Sequence, residues 1–574
     1  MSRRFYLTTA IDYANGDPHQ GHAFEKIGAD AIARYHRLAG DDVRFCMGVD
    51  EHGQKVAQAA AARGITPQEL VDELAERFEG FWKRLNVSND RWVRTTQEHH
   101  KRGVKALIER IFERNPDDFY EKSYEGWYCV GCELFKRENE IQDGRCVLHP
   151  TRELQWTEER NWFFRLSRYQ DFLRAHFQAR PDFIFPESRR NELLALIDSG
   201  LEDISVSRAR LSWAIPFPRP TSDGTEQGTW VWLDALPNYL TDTGYPDAGF
   251  EEWWPAQLHV VGKDITRLHA IIWPAFLTSA ELPVPERVWG HGFVLLGGER
   301  FSKSSGVGLD LGEAIDRFGV DAFRYFLLRE VPWDADGNFS WERFAERYTA
   351  ELANGLGNLA SRTTSMLAKY RDGAVPGSPV EVDDAIAGAV EAYRAAMDAN
   401  LLHEGAEAAY ELVRHANALV AERQPWTIAK DQGRADELDL VLATMVRCLA
   451  AAAVLLSPFM PGKTAELWER LGSGGAMPAL DDLATLDVSG WNTSAGAILF
   501  PRPEVTAKAI SLRNSMVVLL VLPPSSGVPE RHRVVASPAC GQDGLHPAQP
   551  RSHDGPPACP AAASRGTAYP GSIG

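Results

Sequence analysis

His19 and His22 bracket Gln20-Gly21 directly after the polar turn Tyr13-Ala14-Asn15-Gly16-Asp17-Pro18. Residues 4–11, before the turn, read as a strand, and residues 21–38 read as a helix. A strand–turn–helix corner of this kind leaves backbone N–H groups unpaired at the helix start. Two imidazoles there add further donors, so the corner suits an anion, and ATP phosphates in particular. A second candidate lies far downstream, in Gly297-Gly298-Glu299-Arg300-Phe301-Ser302-Lys303-Ser304-Ser305-Gly306. Its flanking glycines permit a mobile loop, and Arg300 and Lys303 supply two cations able to neutralise phosphate charge.

A third constellation is metal-like. Cys129-Val130-Gly131-Cys132 is followed, after 13 intervening residues, by Cys146-Val147-Leu148-His149. Two short chelating pairs offer four soft or borderline ligands, the donor set of a tetrahedral zinc site. Gly131 and Gly144 suit the knuckle turns. Four protein ligands leave no open coordination position, so the metal is expected to be structural, one per chain. Glu133, Glu138, Glu140 and Glu153 around it give no dominant basic face.

The elements that must carry these groups follow from periodicity. Phe5-Tyr6-Leu7 and Val43-Arg44-Phe45-Cys46-Met47 read as buried parallel strands, and residues 23–38 and 67–85 as helices. This is the first half of a doubly wound α/β nucleotide-binding fold. Its ligand crevice is expected at the C-terminal strand ends, where His19, His22 and Gly48-Val49-Asp50-Glu51-His52-Gly53 fall. Cysteines, tryptophans and short polar segments then mark an inserted domain. The α/β pattern resumes at Thr229-Trp230-Val231-Trp232-Leu233-Asp234 and runs through a strand at 257–261, a helix at 267–279 and a strand at 288–296. Residues 342–370, 382–400, 403–422 and 435–456 carry apolar residues at helical spacing, a bundle closing near Phe500-Pro501-Arg502. From Pro523 onward, ten prolines in 52 residues and no periodicity predict a disordered tail. The expected division is 1–117 and 226–330 for the two halves of the sheet domain, 118–225 for the insertion, 331–502 for linker and helical domain, and 503–574 for the tail.

Composition bounds the class. A chain of 574 residues with 44% hydrophobic and 24% charged residues is an ordinary multidomain globular protein. The apolar run from Met516 to Leu522 is far too short to span a bilayer, and no secretory or transit pattern opens the chain, so no membrane association is expected. Three of seven cysteines cluster, which points to metal rather than disulfides and to a reducing cytoplasm. A net charge of −18 argues against nucleic acid as a partner of the whole surface. A local basic groove can still coexist with it.

The histidine corner and the cationic loop, in this order, resemble the two signatures of class I aminoacyl-tRNA synthetases. From about Phe5 to Arg502 the chain is similar to the methionyl-tRNA synthetase family, in its bacterial type with a single zinc knuckle. The resemblance implies a Rossmann-like catalytic domain carrying a zinc-bearing connective insertion, then an all-α anticodon-binding bundle. It implies ATP with Mg²⁺, L-methionine and tRNA(Met) as partners. Carried over residue by residue, His19, Gly21, His22, Gly262, Asp264, Val294 and Lys303 meet ATP, with His19, His22, Arg300 and Lys303 acting in catalysis. Ala10, Ile11, Tyr13, Asp50, Trp232, Ala235, Tyr239, Ile265, His269 and Trp273 line the methionine pocket, with Asp50 opposite the substrate ammonium. An aromatic wall is sensible chemistry, because a thioether gains from sulfur–aromatic contact. Asn358, Arg362 and Trp426 match anticodon-reading positions, where Arg and Asn offer base-edge hydrogen bonds and Trp a stacking platform. A competing reading has Asp50 and His52 simply paired with each other.

The chain also departs from the family pattern. Arg300 and Phe301 stand where Lys and Met are usual, Gln20 replaces an apolar residue, and Asp12 and Leu236 are atypical. These bear on rate and pocket shape, not on the reaction. The tail resembles nothing in the family, and a monomer is favoured. Two alternatives stay open at this level: another class I synthetase, and a catalytically impaired synthetase-like tRNA-binding protein. The insertion of about 105 residues leaves little room for the editing domain of branched-chain synthetases, and no cysteine flanks the first signature as the cysteine enzyme requires.

Overall fold

The computed structural model describes residues 2–14, 16–18, 20–132, 134–136, 138–147, 149–209, 211–296, 299–300, 311–378, 380 and 382–502. The expected tail, 503–574, lies outside them. Seven described strands form one parallel sheet: β1 (Arg4–Thr9), β2 (Asp12–Tyr13), β3 (Asp42–Asp50), β4 (Arg91–Arg94), β5 (Ile184–Phe185), β6 (Leu258–Gly262) and β7 (Val288–His291). Their order is β5–β7–β6–β1–β3, with both β2 and β4 pairing with β3. Leu7 of β1 sits between Leu258 of β6 and Phe45 of β3. Phe5 through Thr9 are buried on both faces, as a covered parallel sheet requires. The chain winds outward from β1 in both directions, so the switch point lies between β1 and β6. Ala10 and Gly262 emerge there, and there a ligand crevice is expected.

Helix α1 (Gln20–Leu38) follows the first turn and covers the sheet. It packs unusually close to Trp333: a Cβ at Gly28 would come 2.0 Å from that indole. Only glycine permits this approach.

Residues 119–164 build a long antiparallel ribbon, Phe119–Cys129 against Gln155–Phe164, edged by Leu134–Phe135 and Ile204–Ser205. A small three-stranded sheet, Ile141–Gln142, Arg145–Cys146 and His149–Glu153, hangs beside it. Helices Gln170–Ala179 and Glu187–Asp198 follow. Between them β5 returns to the edge of the main sheet on β7, so the segment read as insertion is anchored in the middle. Two residues are too few for periodicity to reveal such a strand.

The stretch 342–370 is not one uniform helix. It runs as Trp341–Arg347, a π-helical segment Tyr348–Gly357, and Asn358–Arg371. Gly355 lies in the widened part, where a Cβ would meet the Tyr410 hydroxyl at 1.9 Å. Beyond it, α2 (Asp383–Asp398), α3 (Leu402–Arg423) and α4 (Ala435–Leu456) pack as a bundle. The stretch Gln432–Leu456 is long and apolar enough to cross a membrane, but 89% of its apolar window is buried among its neighbours. It is therefore the core helix of the bundle. Strand 288–296 is likewise divided, into Val288–His291 and Val294–Leu296, and between them Gly292 passes so close to Ala335 that a Cβ would strike its backbone.

Candidate active site

The strand and the helix expected to flank the candidate phosphate corner are both present. Helix α1 begins at Gln20, placing Gly21 and the half-buried His22 in its first turn, with the His22 ring 5.7 Å from Phe78. His19 lies outside the described residues, as do Gly297, Gly298 and residues 301–310 with Lys303. Of the cationic loop the structure gives its base. Val294–Leu296 pairs antiparallel with Glu299–Arg300, so the Arg300 backbone lies opposite Leu295. Val294 is buried and pairs in parallel with Gly337. At the end of β6, Gly262 is buried and Asp264 exposed; a Cβ on Gly262 would lie 2.8 Å from the Asp264 carboxylate.

The residues matched to the methionine pocket gather beside that corner. Tyr239, His269 and Trp273 are buried to within 1% of full exclusion, Ala235 is buried, and Trp232, Ile265, Ala10, Ile11 and Tyr13 are half-buried. The His269 ring is fixed from both sides. Nδ1 lies 3.0 Å from the Ile265 carbonyl, which can only accept, so Nδ1 carries the proton. Nε2 then accepts the Tyr239 hydroxyl hydrogen at 2.7 Å. Burial pushes the imidazole down to about 4, so it is neutral at physiological pH. Trp232 stands edge-on to this ring at 6.3 Å, and Trp273 packs against Trp254 at 6.0 Å. The result is a dry aromatic wall with one polar face and no net charge.

Asp50 is buried at the end of β3, where it pairs with Tyr13 and its carbonyl accepts the Ala14 N–H at 2.9 Å. His52 does not take the Asp50 carboxylate as its ion-pair partner. Its Nδ1 donates to Asp234 at 2.7 Å, and His100 Nε2 reaches the other Asp234 oxygen at 3.1 Å. Burial alone would raise the Asp234 carboxyl, but the two imidazoles hold it below its ordinary value.

Sequence reading missed three contributors. Trp213, from the insertion, donates its indole N–H to the Glu51 carbonyl at 2.6 Å and accepts the Gly53 N–H at 3.0 Å, clamping the Asp50–Gly53 turn. Lys263 pairs with Asp336 at 2.7 Å, and Asp336 accepts the Phe293 N–H, tying the Gly262–Asp264 corner to the base of the cationic loop. Asp12, Glu25, Lys26 and His291 form a fully buried charge cluster where α1 meets β2 and β7. Of these only Asp12 stood out in the sequence, as a residue atypical of the family pattern.

The four metal-type ligands come together. One ligand atom from each of Cys129, Cys132, Cys146 and His149 lies within 4.8 Å of all the others. Cys132 Sγ is 3.5 Å from Cys146 Sγ and 3.3 Å from His149 Nδ1, and Cys129 Sγ is 3.8 Å from that nitrogen. Ligands about 2.0–2.3 Å from a central ion define tetrahedral edges of about 3.3–3.8 Å, so the set fits zinc. Gly131 is required here: a Cβ would sit 2.4 Å from the His149 ring.

In the bundle, Asn358 opens its helix and is exposed, and Arg362 lies one turn further on. The Arg362 guanidinium sits 5.3 Å from the ring centre of Trp426, which is 40% exposed. Ser361, Ser365 and Met366 complete a cleft of about 280 Å³ around them. An aromatic face backed by a cation, open to solvent, can stack an unpaired base.

The family model described as tRNA synthetases class I (M) matches residues 5–148 and 136–364. A methionine–tRNA ligase of Caldanaerobacter subterraneus subsp. tengcongensis is 41% identical over 89% of this chain and 81% of its own length. That of Streptomyces coelicolor is 39% identical over 88% of this chain and 97% of its own. Among solved structures, Mycobacterium tuberculosis methionyl-tRNA synthetase in complex with methionyl-adenylate superposes with a TM-score of 0.81 at 40% identity, covering 87% of this chain and all of that one. The chain belongs to the methionine–tRNA ligases, the methionyl family of class I tRNA synthetases.

Proposed function

We propose that this chain activates L-methionine with ATP to methionyl-adenylate and pyrophosphate, then transfers the methionyl group to the 3′-terminal ribose of tRNA(Met). The observation that carries the reading is the neutral, doubly fixed His269 in an aromatic wall, set beside the α1 corner at the C-terminal ends of β1 and β6. Such a wall accepts an uncharged thioether and rejects charged side chains, which would lose hydration there without a partner.

The methionine carboxylate is ionised at neutral pH, so its attack on the α-phosphorus needs no general base. Catalysis reduces to holding the two substrates in line and stabilising charge on the phosphates. His22, with His19, donates to phosphate oxygens at the α1 N-terminus. Lys303, with Arg300, neutralises charge as pyrophosphate leaves. Asp50 receives the methionine ammonium. Tyr239, His269, Trp232, Ile265 and Trp273, with Ala10, Ile11, Tyr13 and Ala235, enclose the side chain. Gly262, Asp264 and Val294 take the nucleoside. Mg²⁺ travels with ATP, shielding its phosphates. Cys129, Cys132, Cys146 and His149 would hold a zinc ion, which with four protein ligands would be structural. Asn358, Arg362 and Trp426 read the anticodon. A class I assignment makes the 2′-hydroxyl the first acceptor. The reading carries a cytoplasmic location, no membrane association, and a monomeric state that light scattering tests.

The test is ligation itself. Purified protein with ATP and labelled methionine should charge tRNA(Met), forming one AMP per ester. Release of AMP without methionyl-tRNA, or no reaction at all, would refute the assignment.

A further inference from the structure

Where α1 meets β2 and β7, two carboxylates, a lysine and a histidine are buried together. Asp12 is 3% exposed, Glu25 7%, Lys26 0% and His291 4%. Lys26 Nζ has three hydrogens and three acceptors: Asp12 Oδ1 at 3.1 Å, Glu25 Oε1 at 2.6 Å and the Ala10 carbonyl at 2.6 Å. The second Asp12 oxygen accepts the Trp82 indole N–H at 3.1 Å. The second Glu25 oxygen lies 3.1 Å from His291 Nε2, while His291 Nδ1 faces the Gly292 carbonyl at 2.8 Å. Both ring nitrogens thus face an oxygen acceptor, and the hydrogen bonds of the cluster are made within it. That closure lets a buried ionic group persist despite its desolvation cost.

The placement of Lys26 is what gives the cluster meaning. It lies four residues after His22, one turn deeper on the same face of α1. Its ammonium reaches across to Ala10 and Asp12, which flank Ile11 in the segment between β1 and Tyr13. That segment is already pinned to β6 by Ala10 N–H on the Val260 carbonyl, and to β3 by Asp12 and Tyr13 opposite Val49 and Asp50. Lys26 adds the joint to the helix that carries the phosphate corner. Asp12 is a departure from the family pattern, and it supplies the counter-charge that makes a lysine tolerable here.

Resting on the proposed function, we infer that Lys26, held by Asp12 and Glu25, is a positioning residue that fixes the amino-acid segment Ala10–Tyr13 against the phosphate-binding end of α1. It touches neither substrate. It sets the register in which carboxylate and α-phosphorus meet, and in-line displacement is sensitive to small errors in that register.

The pairing chooses the variants. K26M removes the buried ammonium and leaves Asp12 and Glu25 without it. D12N removes one counter-charge and keeps the Lys26 bond to Ala10. The double variant D12N/K26M removes one charge of each sign, so the balance between them is kept, yet cuts the joint. Three readouts separate register from fold: melting temperature, binding of methionine alone and of ATP alone by equilibrium dialysis, and kcat in methionine-dependent ATP–pyrophosphate exchange. K26M should lose melting temperature, and the double variant should recover most of it. The double variant should bind each substrate alone as wild type does, yet exchange on the order of 10–100-fold more slowly. D12N should retain more exchange than the double variant. A double variant with wild-type kcat would overturn the inference and leave the cluster purely structural. So would weakened methionine binding with intact kcat, which makes Lys26 a pocket residue. A double variant that fails to fold would also overturn it, by making the pair indispensable to the core itself. Wild-type protein without methionine-dependent exchange would instead sink the proposed function, and so is told apart.

Discussion

Tyr239→Phe removes one oxygen from the proposed methionine wall and nothing else. Tyr239 and His269 are each 1% exposed, so no solvent can replace the lost donor. The His269 tautomer is locked by the Ile265 carbonyl, so Nε2 stays an acceptor with no partner. Leaving a buried acceptor unsatisfied costs about 1–3 kcal/mol. Part of that falls on the fold and should appear as a lower melting temperature. The rest falls on the pocket, because the imidazole that meets the thioether is no longer held from its second nitrogen. We expect kcat/KM for methionine in ATP–pyrophosphate exchange to fall several-fold, and by no more than roughly 150-fold, the factor equivalent to the whole of that cost. KM for ATP should be unchanged. A variant that melts early but keeps wild-type kcat/KM for methionine would refute the reasoning, since the pair would then be ordinary core.

Other expectations follow from the same geometry. Because burial holds His269 near 4, below the usual value of about 6.5, the unfolded chain binds a proton that the native state does not; this contributes stability in full above pH 6.5 and loses it as pH falls toward 4, by about 3 kcal/mol. Comparing melting curves of wild type and H269N from pH 4 to 7 measures this, and parallel curves would contradict it. Elemental analysis should find one zinc per chain, and Cys146→Ser should lose it together with thermal stability; wild-type stability without metal would remove the structural assignment. Trp426→Ala should weaken charging of tRNA by about 1–3 kcal/mol while sparing ATP–pyrophosphate exchange; equal damage to both steps would make Trp426 a packing residue. Lys303→Ala should slow adenylation by roughly 2–4 kcal/mol with methionine binding intact, since its charge acts mainly in the transition state; unchanged kcat would remove its catalytic role.

Much of this architecture is legible in the residues. Strand 4–9 and helix 20–38 follow from burial period and turn chemistry, and the Cys/His spacing leads to four converging ligands. What stayed hidden is what tertiary contact alone decides. No local pattern shows that Ile184–Phe185 rejoins the main sheet, that Gly355 sits in a π-helical widening against Tyr410, or that His52 turns to Asp234. The buried cluster is the sharpest case. Asp12 and Lys26 read as a departure and a helix lysine until the fold brings them within 3.1 Å.

The central claim is that this chain selects methionine before any tRNA is bound, and amino-acid-dependent ATP–pyrophosphate exchange without tRNA tests it most directly. Exchange should be rapid with methionine and, at equal concentration, far slower with isoleucine, valine, leucine or cysteine. Exchange as fast with one of those as with methionine, or none with methionine at saturating ATP and Mg²⁺, would contradict it.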